Sequence, residues 1–324
     1  MTNIELNQYL REALIVIDEV LDVRNIPIYD RFLIASRMFV SEFVEDTSYS
    51  SKEEFIKSDA YLECIVPVVH DWYFERYGEL AKRPHESDFS AVITIRNQPV
   101  LIKFSSTISI VEKQGETAWI KFLDHLDKSE NIQAMLQGRN IRLDFLARNQ
   151  KYKVEQRIEE VVTCIRTISI NLTGLKVDSK TVNLARTVLD ELERASLDIT
   201  SYDKNRIANS CWHTHLAIEK TMKVFLKQSI GQFEETHDLK LLFSKILVHS
   251  DSKNLNIDPS VIDSFPTNVV ALRYGEESIS VEKALLFYNK ALPIIRDLSS
   301  VLVRKFGIRN ASILIKKPTW INKA

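Results

Sequence analysis

The sequence predicts an α+β N-terminal domain, with helices and a small, mostly antiparallel sheet, followed by an all-α helical bundle. Three observations carry this reading. Helical periodicity opens the chain, and β-branched residues then alternate with others from 89 to 114. From about 152 onward the alternation stops and apolar residues recur at three- and four-residue steps. The chain has 324 residues, which suits two domains, and a hydrophobic share of 45% is enough to build real cores. The division is expected near residue 150, giving an α+β domain over 1–150 and a bundle over 151–324.

Residues 4–24 read as a helix, because Ile4, Leu6, Leu10, Leu14, Ile17 and Val20 recur mainly at three- and four-residue steps. A second helix starts after Pro27, and a third covers about 52–79, kinked or split at Pro67. In "FSAVITIRNQPVLIKFSSTISIVEKQ" the tetrapeptide "RNQP" is a turn between two strand-type runs, with a third strand expected over 107–113. "TAWIKFLDHLDK" reads as a helix and "NIRLDFLA" as a strand. The bundle follows. "VEQRIEEVVTCIRTISINL" is amphipathic, and "SKTVNLARTVLDELERASL" opens on a serine in capping position. Further helices are expected over 203–228, over "HDLKLLFSKILVH", and from Ser280 to a stop at Gly307, with a bend at Pro293. The tail "NASILIKKPTWINKA" reads as an edge strand or a loosely docked segment.

Lysine and arginine number 43 and aspartate and glutamate 44, so bulk charge predicts neither a nucleic-acid coat nor an acidic tail. The start lacks the basic and apolar regions of a signal peptide, and the longest apolar runs are too short to span a bilayer. Three scattered cysteines argue against a disulfide scaffold. A cytoplasmic protein is expected. Seven glycines leave little room for a phosphate loop, and neither HExxH nor GxSxG occurs.

The stretch "CWHTHLAIEKTMKVFL", residues 211–226, concentrates the chemistry. On a helix, residues two apart point about 200° apart. Cys211, His213 and His215 therefore do not converge, and no metal site is expected. Ala208, Cys211, Trp212, His215, Met222 and Leu226 form an apolar face, with Ile218 and Phe225 at its edge. Glu219 sits in the middle of that face and must be paired, hydrogen-bonded or protonated if buried, with His237 or Arg273 as its expected partner. Arg206, His213, Lys220 and Lys227 recur every seven residues, with Lys223 beside them. This cationic stripe reads either as a solvated helix face or as a surface for phosphate groups or RNA.

Ala217, Glu219, Lys220 and Lys223, then Thr236, His237, Asp238 and Leu239, then Arg273 and Tyr274 before a long helix, resemble a HEPN domain (higher eukaryotes and prokaryotes nucleotide-binding). The resemblance covers roughly 175–305 and leaves the first 150 residues unrecognised. It implies a bundle of four or five helices that dimerises, in a prokaryotic antiviral defence or toxin–antitoxin system, with a nucleotide, RNA or a partner protein encoded nearby as ligand. The binding residues it implies are Lys220, Lys223, Lys227, His237, Asp238 and Arg273, with Glu219 structural and no cofactor.

Ribonuclease members of that family carry Arg-x(4–6)-His on a late helix, where the arginine holds phosphate and the histidine moves a proton. Here the in-register spacing is Arg206-x6-His213, on the Glu-Lys helix instead. If the chain is a metal-independent ribonuclease, Arg206 and His213 are the expected catalytic pair. The first hairpin is also similar to restriction-endonuclease-like sheets, but Leu101 stands at their glutamate position, two residues before Lys103. An apolar residue cannot ligate Mg²⁺.

Overall fold

The computed structural model describes residues 3–82, 88–114, 116–138, 142–249, 255 and 257–316. It combines many helices with two small sheets and divides into two compact units. The first comprises residues up to 86 with 111–118 and those from 315 on, and the second comprises 87–110 and 119–314.

The first unit holds α1 (Asn3–Val23), α2 (Ile28–Phe43), α3 (Lys52–Ile56), α4 (Asp59–Cys64) and α5 (Val66–Tyr77). Leu10, Leu14, Ile17 and Leu21 of α1 share a core with Phe39 and Val40 of α2 and Val69 and Tyr73 of α5. Arg31, 6% exposed, ties α1 to α2 through Asp18 at 3.1 Å, Asp22 at 2.7 Å and the Ile26 carbonyl at 2.7 Å. Pro67 splits the expected third helix, lying in the first turn of α5, where a missing N–H leaves no bond unmade.

Strands β1 (Asp88–Ile95) and β2 (Gln98–Ser105) form the expected antiparallel hairpin. The second sheet has the order β3-β4-β5, from β3 (Ile108–Lys113), β4 (Thr117–Lys121) and β5 (Ser312–Lys316). The tail thus supplies an edge strand, while its residues from 317 lie outside the described ones. Two expectations fail here. "TAWIK" is strand rather than helix, because Thr117, Trp119 and Ile120 favour extended backbone and no helical turn follows. Within "NIRLDFLA" the described part is a 3₁₀ turn at Leu143–Phe145, leading into the next helix.

The second unit contains α6 (Ile132–Met135), α7 (Arg148–Leu172), α8 (Ser179–Ile199), α9 (Lys204–Ile230), α10 (Leu239–His249), α11 (Pro259–Asp263), α12 (Val269–Arg273) and α13 (Val281–Ser300). Helix α9 is its axis and packs on α8, α10, α12 and α13. β1 packs on α7 and α8, so Ala91, Val92 and Ile93 enter the same core as Ile165, Val188 and Leu192. Arg166 of α7, 1% exposed, donates to both carboxylate oxygens of Glu130 and to the carbonyls of Ser105 and His125, all at 2.7–2.8 Å. The hairpin, Ser105 and residues 125–130 therefore belong with the helices, 111–118 fall with the first unit, and the main division lies near residue 86 rather than 150.

Helix ends follow local chemistry. Asp178, not Ser179, caps α8, Asp203 caps α9 and Ser280 caps α13. Gly231 closes α9 in the left-handed conformation, with φ 78°. Helix α13 ends at Ser300, short of Gly307. Beyond it, Lys176 N–H donates to the Val303 carbonyl at 3.0 Å and Lys305 N–H to the Gly174 carbonyl at 2.7 Å, holding this stretch extended.

Candidate functional site

Helix α9 is buried on nearly every side, not on one face alone. Its cationic stripe lies against α8. Arg206 Nε donates to Asp198 at 2.9 Å, His213 Nδ1 to Glu191 at 2.6 Å, and Lys220 Nζ to Glu191 at 2.7 Å. His213 Nε2 lies 3.8 Å from Asp198. The stripe is thus an ion-pair ladder between antiparallel helices. Burial alone would raise the Glu191 carboxyl, but the bonds from His213 and Lys220 hold it down at about 2. Lys227, half-buried, acts on Asp178 at the start of α8.

Both nitrogens of His213 face carboxylates, and Arg206 is committed to Asp198. His213 therefore turns no ring nitrogen to a scissile phosphate, and Arg206, 52% exposed, meets His213 only through their shared neighbour Asp198. The readable signal was Glu191 and Asp198, seven residues apart on the preceding helix, the same spacing as the cations. Cys211, His213 and His215 diverge as expected of a helix. Burial pushes the Cys211 thiol up to about 11 and lowers the pKa of His215.

A second constellation lies where α9 meets α10 and α12. Glu219, 3% exposed, accepts from Lys223 Nζ at 2.9 Å and from His237 Nδ1 at 2.9 Å. Lys223 is itself buried and lies over the Phe233 ring. Lys223 is therefore the counter-ion of a core carboxylate rather than part of the stripe. His215 Nε2 donates to the His237 carbonyl at 2.7 Å, fixing its own tautomer, and its buried Nδ1 has no partner among the described residues. His237 is held twice, by backbone and by ring, while its side chain stays 62% exposed. Its free ring nitrogen is Nε2.

Asp238 is spent locally: its carboxylate accepts from the Lys240 and Leu241 N–H groups at 2.9 and 3.2 Å and caps α10. Arg273 does not reach Glu219. Its guanidinium lies 4.9 Å from the centre of the Trp212 ring and 5.7 Å from that of Tyr274. His237 packs on the same indole at 5.7 Å between ring centres. Arg273 is exposed and pairs with no carboxylate among the described residues.

A cavity of about 400 Å³ opens beside this cluster, lined by His215, His237, Lys240, Phe265 and Val270, among others. Lys240 is paired with Asp263 at 2.9 Å, both exposed. Its walls are apolar toward α11 and α12 and polar toward His237. Among the described residues, no helix is long and apolar enough to cross a membrane. Searches of protein families, of curated proteins and of solved structures find no match to this chain.

Proposed function

We propose that the second unit is a HEPN-type nucleotide- or RNA-binding module whose ligand site is the His237–Arg273 cluster rather than the cationic stripe of α9. The observation that carries this reading is the pairing of an exposed, carboxylate-free Arg273 with an exposed His237 on one indole, beside a cavity of ligand size. An arginine held by an aromatic ring keeps its N–H fork turned outward for phosphate. Phe265 and Val270 offer the apolar wall a base requires. The resemblance of residues 175–305 supports the bundle class, its homodimer and its place in a defence or toxin–antitoxin system.

The test is binding of a fluorescent ten-nucleotide single-stranded RNA and of AMP across a salt series. Affinity should fall as salt rises. Arg273→Ala and His237→Ala should each weaken it, while the unfolding midpoint of Arg273→Ala stays near wild type. Binding that survives both substitutions would overturn the assignment.

A second reading, a metal-independent ribonuclease, rests on the Glu219–His237 pair. A carboxylate that holds Nδ1–H leaves Nε2 as a base, the arrangement needed to take a proton from a 2′-hydroxyl. Under this reading His237 moves the proton and Arg273 stabilises the phosphorane. RNA cleavage in EDTA that His237→Gln abolishes, and that His213→Asn retains, would favour it.

A further inference from the structure

A second cavity of the same unit lies at the tip of the β1–β2 hairpin. It measures about 610 Å³ and is bordered by that tip, by residues around 137 and 142–146, and by the end of α8 with Tyr202. The volume is within the usual range for small-ligand pockets, roughly 300–1,000 Å³. Among the described residues its charged lining residues are Arg96 and Arg142, and no acidic side chain lines it. Two aromatic rings border it as well: Phe145, 72% exposed, and Tyr202, 48% exposed.

The arginines are presented in different ways. Arg142 lies over the Phe145 ring at 4.9 Å, with a long 4.0 Å contact to exposed Asp144 that contributes little. Arg96 and Asn97 form the two-residue turn, with φ 49° and 62°. Positive φ at both positions is the mark of a type I′ turn, where glycine and asparagine are preferred. An arginine in that conformation costs about 1 kcal/mol or more. It is exposed and has no carboxylate partner among the described residues, so the strained position is not repaid by an ion pair. Tyr202 fixes the floor by donating its hydroxyl to the Pro99 carbonyl at 3.1 Å.

Two cations and two exposed rings around one cavity match a ligand that is aromatic and anionic at once. From this juxtaposition we infer that the cavity binds a nucleotide unit, its base against Phe145 or Tyr202 and its phosphate between Arg96 and Arg142. The site is independent of the His237 cluster, and either can fail without the other. The nucleotide unit comes either free or as one residue of an RNA strand.

Calorimetric titration of the full chain with AMP, adenosine, inorganic phosphate and a ten-nucleotide single-stranded RNA tests this. Arg96→Gly is the informative variant, because glycine accepts the left-handed turn and the fold is kept. Phe145→Ala should weaken AMP binding about tenfold through the lost stack, and Arg96→Gly should weaken it about tenfold through the lost charge-assisted bond to the phosphate. Arg142→Ala should do the same, and adenosine and phosphate alone should bind more weakly than AMP. The measurements are made in an Arg273→Ala background, which removes the His237 cluster from the signal. Displacement of AMP by RNA identifies an RNA residue as the ligand, and AMP binding that RNA leaves untouched identifies a free nucleotide. AMP affinity unchanged by both Arg96→Gly and Phe145→Ala, or equalled by bare phosphate, would overturn the proposal.

Discussion

Lys220 of α9 and Glu191 of α8 meet at 2.7 Å, with 18% and 5% of their side chains exposed. Glu191 takes a second bond from His213, about two turns earlier on α9. A carboxylate so placed binds two helices together, and its charge is the reason the cationic stripe faces inward.

Glu191 should make stability fall in acid. Its folded pKa, near 2, lies below its ordinary value of 4.5, so its contribution is complete above about 4.5. It is lost as pH falls through the window from 4.5 to 2. The contribution at neutral pH is on the order of 3 kcal/mol. Glu191→Gln should lower the urea midpoint at pH 7 and flatten its decline over that window. An acid limb of unchanged slope would show that other carboxylates govern it.

Lys220→Met keeps the aliphatic stem and removes the charge. Glu191 then retains the His213 bond and a longer 3.8 Å contact with Arg194, and the loss should be about 1–3 kcal/mol of stability. RNA affinity should be unaltered at equal salt, because Lys220 is turned to α8 rather than outward. Affinity that drops with no change in melting temperature would restore the stripe as a ligand surface.

The sequence made the helices, the first hairpin and the burial of Glu219 legible, because each rests on a local period or on one misplaced charge. The facing of the stripe was not legible from α9 alone. A row of cations has the same period whether it meets water or a row of acids, and only Glu191 and Asp198 on the preceding helix decide between them. Lys223 shows the same limit: four residues after Glu219 it could turn either way, and the buried carboxylate draws it inward. The domain boundary was missed because β1 alternates like any strand, whereas its assignment to the helical unit depends on contacts with α7 and α8. Of the two partners expected for Glu219, His237 reaches it and Arg273 does not, because Lys223 and His237 already neutralise the carboxylate and leave the Arg273 guanidinium to Trp212.

Gly174→Ala should destabilise the second unit. Gly174 has φ +70°, and an added Cβ would stand 2.8 Å from the Phe306 backbone oxygen. The Gly174 carbonyl also accepts from Lys305 N–H at 2.7 Å, so the segment cannot retreat without breaking that bond. Strain and contact together should cost about 1–3 kcal/mol, read as a lower urea midpoint with the denaturant slope unchanged. A midpoint within error of wild type would mean that residues 303–306 yield freely.

Glu219 and Lys223 should behave as one unit. Both are buried, and their 2.9 Å ion pair lies within α9. Glu219→Ala leaves the Lys223 ammonium without its counter-ion and frees His237 Nδ1, so the loss should reach about 3–5 kcal/mol. Lys223→Met leaves a buried carboxylate whose remaining donor is His237, and should also destabilise. With both changed, no charge is stranded, and the double variant should be less destabilised than the sum of the singles by at least about 1 kcal/mol. The cycle is read from chemical denaturation at pH 7. Strictly additive losses would show that Lys223 reaches solvent in the native state and that Glu219 is neutralised by His237 alone. RNA binding adds a second readout. Glu219→Gln keeps an acceptor for His237 Nδ1 and should hold affinity close to wild type, whereas Glu219→Ala releases the ring and should weaken binding as His237→Ala does.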